Sequence, residues 1–139
     1  MLAGFALLIY LLAQQGEDLA RALPEKSPGS NIVLQTAFSK RQSDLQVKGQ
    51  GIVKKVLPDD LKGSRHQKFI LQVNPNQTVL VAHNIDVAPR LPGLKRGDSV
   101  AFYGEYEWNK RGGVIHWTHH DPGGRHINGW LKYNGQIYW

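Results

Sequence analysis

The segment LQVKGQGIVKK, residues 45–55, decides the fold of this 139-residue sequence. Apolar residues and glycines alternate along it with Gln and Lys, and a period of two is typical of a half-buried β-strand. Gly49 and Gly51 interrupt the pattern, and glycine inside a strand indicates a bulge or a sharp coil. A strand that coils in this way can belong to both halves of a closed sheet, so the segment predicts a small barrel.

Four further segments with strand periodicity follow, at residues 69–73, 78–81, 100–106 and 114–118. A longer connection, residues 84–96, separates the third strand from the fourth. Five short strands with this spacing predict a mainly β protein, a small five-stranded OB-like Greek-key barrel. An SH3-like barrel, or an open sheet with a covering helix, is the alternative fold.

One helix is predicted before the first strand. Val33, Leu34, Ala37 and Phe38 recur at helical spacing, and Ser30 has the side chain of an N-cap. We therefore expect an N-terminal helix that starts at Ser30 and packs its apolar side on the barrel.

The first 30 residues have a different character. Residues 2–13 read LAGFALLIYLLA, shorter than the roughly 20 apolar residues of a spanning helix but typical of a signal-peptide core. We expect residues 1–23 to form a signal or membrane-anchor helix, 24–30 a linker and 31–139 the barrel domain. That division predicts a protein that is exported, periplasmic or anchored in the inner membrane. A helix packed on a partner is the alternative.

Composition narrows the classes of function. Hydrophobic residues make up 41% of the chain, too many for a disordered tail, and there is no cysteine. A disulfide scaffold, Cys-ligated zinc and thiol catalysis are therefore excluded. Residues 31–139 carry 15 basic and 8 acidic residues, a net charge of +7. This excess favours an anionic partner such as nucleic acid or another polyanion.

The segment VIHWTHHDPGGRH, residues 114–126, has the highest density of side chains that could bind a metal. It holds four of the six histidines. Strand alternation predicts Ile115 and Trp117 in the core and His116 outside. On a straight strand His116 and His120 would be about 13 Å apart, but the DPGG turn can fold the chain back. The candidate ligands for zinc or another divalent metal are His116, His119, His120, Asp121 and His126. A purely structural turn is the alternative.

Other loops supply candidate ligand-binding residues. Arg65 and Lys68 flank an imidazole at the start of the second strand, and an arginine can hold phosphate or carboxylate in a fork. Trp130 is an aromatic that a base or a sugar could stack on. The candidates are Arg65, His66, Lys68, His83, Asn84, Arg111, Arg125 and Trp130. For each, a solvated loop position or a core position is the alternative.

Two glutamates alternate with an aromatic in the fourth strand. If Tyr106 points inward, Glu105 and Glu107 share the outer face. A carboxylate there, near His116, could act as a general base or a metal ligand. Glu105 and His66 are the candidate catalytic residues. Ordinary surface ion pairing is the alternative for both glutamates.

Several motifs between about residue 37 and residue 138 are specific enough to indicate a family. They are LPDD (57–60), GSRHQKF (63–69), AHNID (82–86), GEYEWN (104–109) and residues 112–130. In these motifs the sequence resembles a bacterial family catalogued as domain of unknown function 3465. The resemblance implies a small exported bacterial protein, and it implies no activity because none is attached to the family.

Three classes of function remain open. The first is a binding module for an anionic ligand, nucleic acid or acidic glycan, on a basic and His-rich face. The second is a metal-dependent hydrolase, phosphodiesterase-like, built on the turn at His119, His120 and Asp121. The third is a structural subunit of a membrane-associated complex, held by residues 2–13. The oligomeric state is not predicted.

Overall fold

The computed structural model describes residues 28–139. The predicted signal or anchor helix, residues 1–23, lies outside this range. Within the range, no helix is both long enough and apolar enough to cross a membrane. The described elements are one helix and seven strands: α1 (Pro28–Ser39), β1 (Leu45–Val56), β2 (His66–Asn74), β3 (Gln77–Asn84), β4 (Ser99–Glu107), β5 (Val114–His116), β6 (Trp130–Tyr133) and β7 (Gln136–Tyr138).

Strands β1 to β5 form a closed barrel. Their order is β1-β2-β3-β5-β4, and β4 pairs back on β1 to close the sheet. The β3–β5 pair is parallel, while the other pairs of the barrel are antiparallel. The predicted OB-like Greek-key barrel with a helix before it is confirmed. The closing pair of β1 and β4 excludes the open sheet.

Strand β1 belongs to both halves of the barrel, as its coiled pattern predicted. Residues 45–52 pair with β4, and residues 52–56 pair with β2. Of the two predicted alternatives at the glycines, a bulge or a sharp coil, the bulge is not found there, because the register shift lies between Val53 and Lys55. Gly49 instead allows close packing, because a Cβ there would lie 2.8 Å from Cζ of Phe102. The small residues let β1 bend tightly over the core.

The core fills the barrel from alternate positions of the strands. Large side chains that are fully buried each stabilise the fold by about 1.5–3 kcal/mol relative to exposure. From α1, Leu34 and Ala37 join the same cluster, so the helix covers part of the barrel. The largest fully buried apolar side chains of the strands are Tyr106, Phe69, Phe102, Leu71, Ile115 and Leu131.

The start of α1 differs from its prediction. The helix spans Pro28–Ser39, so it begins two residues before the predicted start at Ser30. Proline suits the first helical position because its missing N–H has no partner there in any case. Val33 is exposed rather than part of the apolar side. Asn31 ties the helix to the barrel, since its Nδ2 donates to the Val73 carbonyl at 2.7 Å.

A C-terminal hairpin extends the sheet beyond the barrel, and the strand pattern did not predict it. Strand β6 pairs antiparallel with the first half of β4, and β7 pairs with β6. The turn is Asn134-Gly135, both with positive φ. An Asn-Gly pair between short strands is a strong hairpin signal, so the sequence held the information. The hairpin continues the outer face of β4.

Candidate functional site

The outer face of β1, β4 and β6 carries a row of three side chains that we call the aromatic row: Lys48, Tyr103 and Trp130. The row follows from the register, because Lys48 lies opposite Tyr103 and Tyr103 lies opposite Trp130. The two ring centroids are 6.2 Å apart. The Nζ atom of Lys48 lies 5.6 Å from the Tyr103 centroid and 5.8 Å from that of Trp130. Lys48 is exposed and both rings are half-buried, so the row is an aromatic platform beside a cation.

A second group lies next to this row on the same face. We call Glu105, Glu107, His116 and His126 the carboxylate–histidine cluster. His116 Nε2 is 3.2 Å from Glu105 Oε2 and 3.6 Å from Glu107 Oε1. His126 Nε2 is 3.4 Å from the same Oε2 of Glu105. Tyr106 is fully buried between the two glutamates, which confirms their predicted outward direction.

The carboxylates of the cluster repel one another. Burial raises the pKa of Glu107, and so do the hydrogen bond with Asp44 and its charge, followed by the charge of Glu105. Gln46 lies opposite Glu105 in the ladder, and its amide nitrogen is buried without a hydrogen-bond partner. Negative charge and a buried polar atom without a hydrogen-bond partner therefore lie close together at the cluster.

The loop between β5 and β6 brings His126 to the cluster. The His126 ring stacks on Trp117 with centroids 4.0 Å apart and planes 6° from parallel. Its Nδ1 lies 2.8 Å from the Ile127 carbonyl oxygen. Its backbone N–H donates to the carboxylate of Asp121 at 2.7 Å. These contacts fix the ring with its Nε2 toward Glu105.

The predicted alternation of β5 fails after His116. Trp117 has a φ of 54°, which takes the chain out of the strand conformation. Thr118 is therefore fully buried, while Trp117 is only half-buried, so the prediction of Trp117 in the core was wrong. Because of this change of conformation, the Trp117 ring lies outside the core, where it stacks on the His126 ring.

Three of the candidate metal ligands have other contacts. Asp121 accepts hydrogen bonds from the backbone N–H groups of Gly123, Arg125 and His126, led in effect by His126, and they hold its pKa below the usual range. His119 is buried, and its Nδ1 lies 2.7 Å from the His120 carbonyl oxygen. His120 is exposed against Trp139, with centroids 4.1 Å apart. Of the five, His116 and His126 meet at Glu105.

The candidate residues before β2 lie around a different part of the barrel. The Arg65 guanidinium donates to Asp86 at 2.7 Å, so this exposed arginine fixes a loop. His66 Nδ1 lies 2.8 Å from the Ser64 carbonyl oxygen. His66 and Lys68 nevertheless line an open groove that reaches Glu107 and His116 of the cluster. The groove therefore joins the predicted ligand-binding residues of β2 to the carboxylate–histidine cluster, which the sequence treats as separate candidate sites.

The remaining candidates have structural contacts. His83 is fully buried, with Nδ1 at 2.7 Å from Thr118 Oγ1 and Nε2 at 2.9 Å from the Pro89 carbonyl oxygen. Asn84 accepts the N–H of Asp86 in a turn. Arg111 and Arg125 are exposed, and the backbone N–H of each donates to a turn carboxylate or amide. Trp130 belongs to the aromatic row.

Two members of the aromatic row were not among the candidates. Lys48 and Tyr103 stand at outward positions of strands whose alternation was correctly predicted. The sequence therefore predicts that both side chains point outward, but their contact depends on the register between β1 and β4. Asp44, which approaches Glu107, was missed for the same reason.

The fold and the outer face define a class, an OB-type barrel with a polar and aromatic face on β1, β4 and β6. The chain belongs to the DUF3465 family, described as proteins of unknown function, whose model matches residues 20–139. This match confirms the family that the motifs resembled. No curated protein matches the chain significantly.

Proposed function

We propose that this chain is a binding module for a single-stranded polyanion, and that its ligand is single-stranded nucleic acid. The observation that supports this function is the aromatic row. Lys48 stands over Tyr103 and Trp130 on the outside of an OB-type barrel. Bases stack on such rings, while a neighbouring ammonium group attracts the phosphate backbone.

The charge of the domain favours the same ligand. Residues 31–139 carry a net charge of +7, which raises the local concentration of a polyanion and speeds its encounter with the surface. Stacking on aromatic faces tolerates any base, so we expect little sequence preference. The protein contacts the phosphate chain of the ligand mainly through charge, so the logarithm of the affinity should fall linearly with the logarithm of the salt concentration.

Replacing Trp130, the ring of the aromatic row that lies on β6, tests the function. Trp130→Ala removes one stacking platform, and base–aromatic stacking is worth roughly 1–3 kcal/mol, so affinity should fall about five- to 150-fold. The measurement is fluorescence anisotropy of a labelled oligothymidylate with the full chain at low salt. Trp139→Ala is the matched control, because Trp139 packs on His120 outside the row.

Two results would contradict the function. One is an oligonucleotide affinity that Trp130→Ala and Trp139→Ala reduce equally. The other is no oligonucleotide binding at low salt. If an acidic glycan binds in that case and Trp130→Ala weakens it, the row is a glycan site and the nucleic-acid proposal is wrong.

The proposal includes export or membrane anchoring through residues 2–13. Leu8→Arg places a charge in this apolar run, at a cost of about 2.5–3.5 kcal/mol near the middle of a membrane helix. We expect the full chain to fractionate with membranes or the exported fraction, and the variant to shift to the cytoplasmic fraction. An unchanged distribution would contradict a targeting role for the segment.

A further inference from the structure

We propose that the carboxylate–histidine cluster is a binding site for one first-row divalent cation of the zinc type, held by Glu105, Glu107 and His116, with His126 beside Glu105 as a further donor. The site is separate from the aromatic row and does not depend on nucleic-acid binding. Glu105, Glu107 and His116 are the three residues of the described chain whose ligand atoms all lie within 4.8 Å of one another. His126 reaches Glu105 from the loop between β5 and β6.

The three histidine–carboxylate distances of the cluster match the spacing of ligands on a shared ion. Bonds of about 2.0–2.1 Å to a tetrahedral zinc ion separate the ligand atoms by roughly 3.3 Å. The separations from Nε2 to carboxylate oxygen are 3.2, 3.4 and 3.6 Å. A charge-assisted hydrogen bond between an imidazolium and a carboxylate would be shorter, about 2.7–2.9 Å. These atoms are therefore about as far apart as two ligands of one zinc ion, and farther apart than the two atoms of a charge-assisted hydrogen bond.

The hydrogen bonds of His126 favour the same conclusion. A carbonyl oxygen can only accept, so the contact with Ile127 places the proton of the neutral ring on Nδ1. In this neutral form of the ring, the lone pair of Nε2 faces Glu105 Oε2 at 3.4 Å, and two acceptors meet. A backbone carbonyl on Nδ1 is the arrangement that orients a metal-binding histidine. A cation between the two atoms would satisfy both.

His116 supplies a second, independent observation. Its Nε2 atom is buried and has no hydrogen-bond partner, although two carboxylates lie nearby. A buried nitrogen without a partner is destabilising by about 1–3 kcal/mol, so such atoms need an explanation. Coordination through Nε2 gives the atom a partner without any change of backbone.

The charges around the cluster agree with a cation. Asp44, Glu105 and Glu107 are three of the eight acidic residues in residues 31–139, and they lie together. The imidazole nitrogens that lie within 4.0 Å of the two glutamates belong to the rings of His116 and His126. Mixed imidazole and carboxylate donors suit zinc and its neighbours, whereas Mg²⁺ and Ca²⁺ prefer oxygen donors alone.

Titration of Zn²⁺ into the metal-free full chain, followed by calorimetry, tests the site. We expect one equivalent to bind, and His116→Gln and Glu105→Gln each to weaken the affinity at least tenfold. His120→Gln is the matched control, since His120 is an exposed histidine of the same loop and lies outside the cluster. It should bind Zn²⁺ as the natural chain does.

Folding of each variant is checked by its thermal midpoint. If His116→Gln or Glu105→Gln does not fold, Glu107→Gln replaces it, because Glu107 is half-exposed and the change is nearly isosteric. No saturable Zn²⁺ binding by the natural chain would overturn the proposal. An affinity that falls as far in His120→Gln as in the cluster variants would also overturn it.

Discussion

Gly112→Ala is expected to destabilise this protein by about 3–5 kcal/mol, the largest effect of a single methyl group that we predict. Gly112 has a φ of 124°, where a side chain is strained, and its Cβ would overlap the Thr78 carbonyl. The strain costs about 1–3 kcal/mol and the overlap about 2 kcal/mol more. The carbonyl of Gly112 also accepts hydrogen bonds from Tyr106 Oη at 2.8 Å and Gln77 Nε2 at 3.1 Å. A shift of this backbone therefore disturbs buried partners.

Gly63→Ala is the matched control for this prediction. Gly63 also has a positive φ, 64°, but a Cβ there would have no atom within 4 Å. The substitution should destabilise by only about 1 kcal/mol, the cost of the left-handed conformation alone. Urea unfolding of both variants measures the difference. If both variants lose the same free energy of unfolding, the close packing of β3 against the turn before β5 is contradicted.

The free energy of unfolding is expected to fall by about 3 kcal/mol as the pH drops from 6.5 to 4, chiefly because of His83. Burial lowers the pKa of His83 to about 4, and the hydrogen bond to the Pro89 carbonyl only partly opposes this. In the unfolded chain the imidazole takes up a proton near pH 6.5, but the folded chain does not until about pH 4. Stability is therefore complete above pH 6.5 and is lost between these values.

Chemical unfolding at several pH values measures this loss. His83→Gln removes the titrating group, so the fall in stability between pH 6.5 and 4 should shrink markedly, whatever the stability at neutral pH. His120→Gln removes an exposed imidazole and should leave the fall unchanged. Burial also lowers the pKa of His119, which adds a smaller effect in the same direction. Equal pH dependence in natural chain and His83→Gln would refute the assignment.

The alternation of apolar and polar residues was enough to predict the barrel. Each of the five predicted strands is present, and closure follows from the coiled pattern of β1. The hairpin of β6 and β7 was missed although its Asn-Gly turn is in the sequence, because its strands have only four and three residues. The phase of Trp117 could not be predicted, since a positive φ at a tryptophan has no local signal.

The candidate site was predicted in part, for a physical reason. Outward phase alone indicated that Glu105 and His116 share a face, and the structure brings them together. The grouping of His119 and His120 with them does not follow from sequence, because the turn sends each ring to a different neighbour. The aromatic row depends on strands that are far apart in the chain, so only the register reveals it.

Ultraviolet cross-linking of an oligothymidylate to the full chain tests the proposed function most directly. A stacked base is in van der Waals contact with the ring beneath it and can react with that ring on irradiation, so mass spectrometry should find the cross-link at Tyr103 or Trp130. Adding salt should abolish it as the phosphate contacts weaken. Cross-links confined to residues 65–68, or none at low salt, would contradict nucleic-acid binding on the aromatic row.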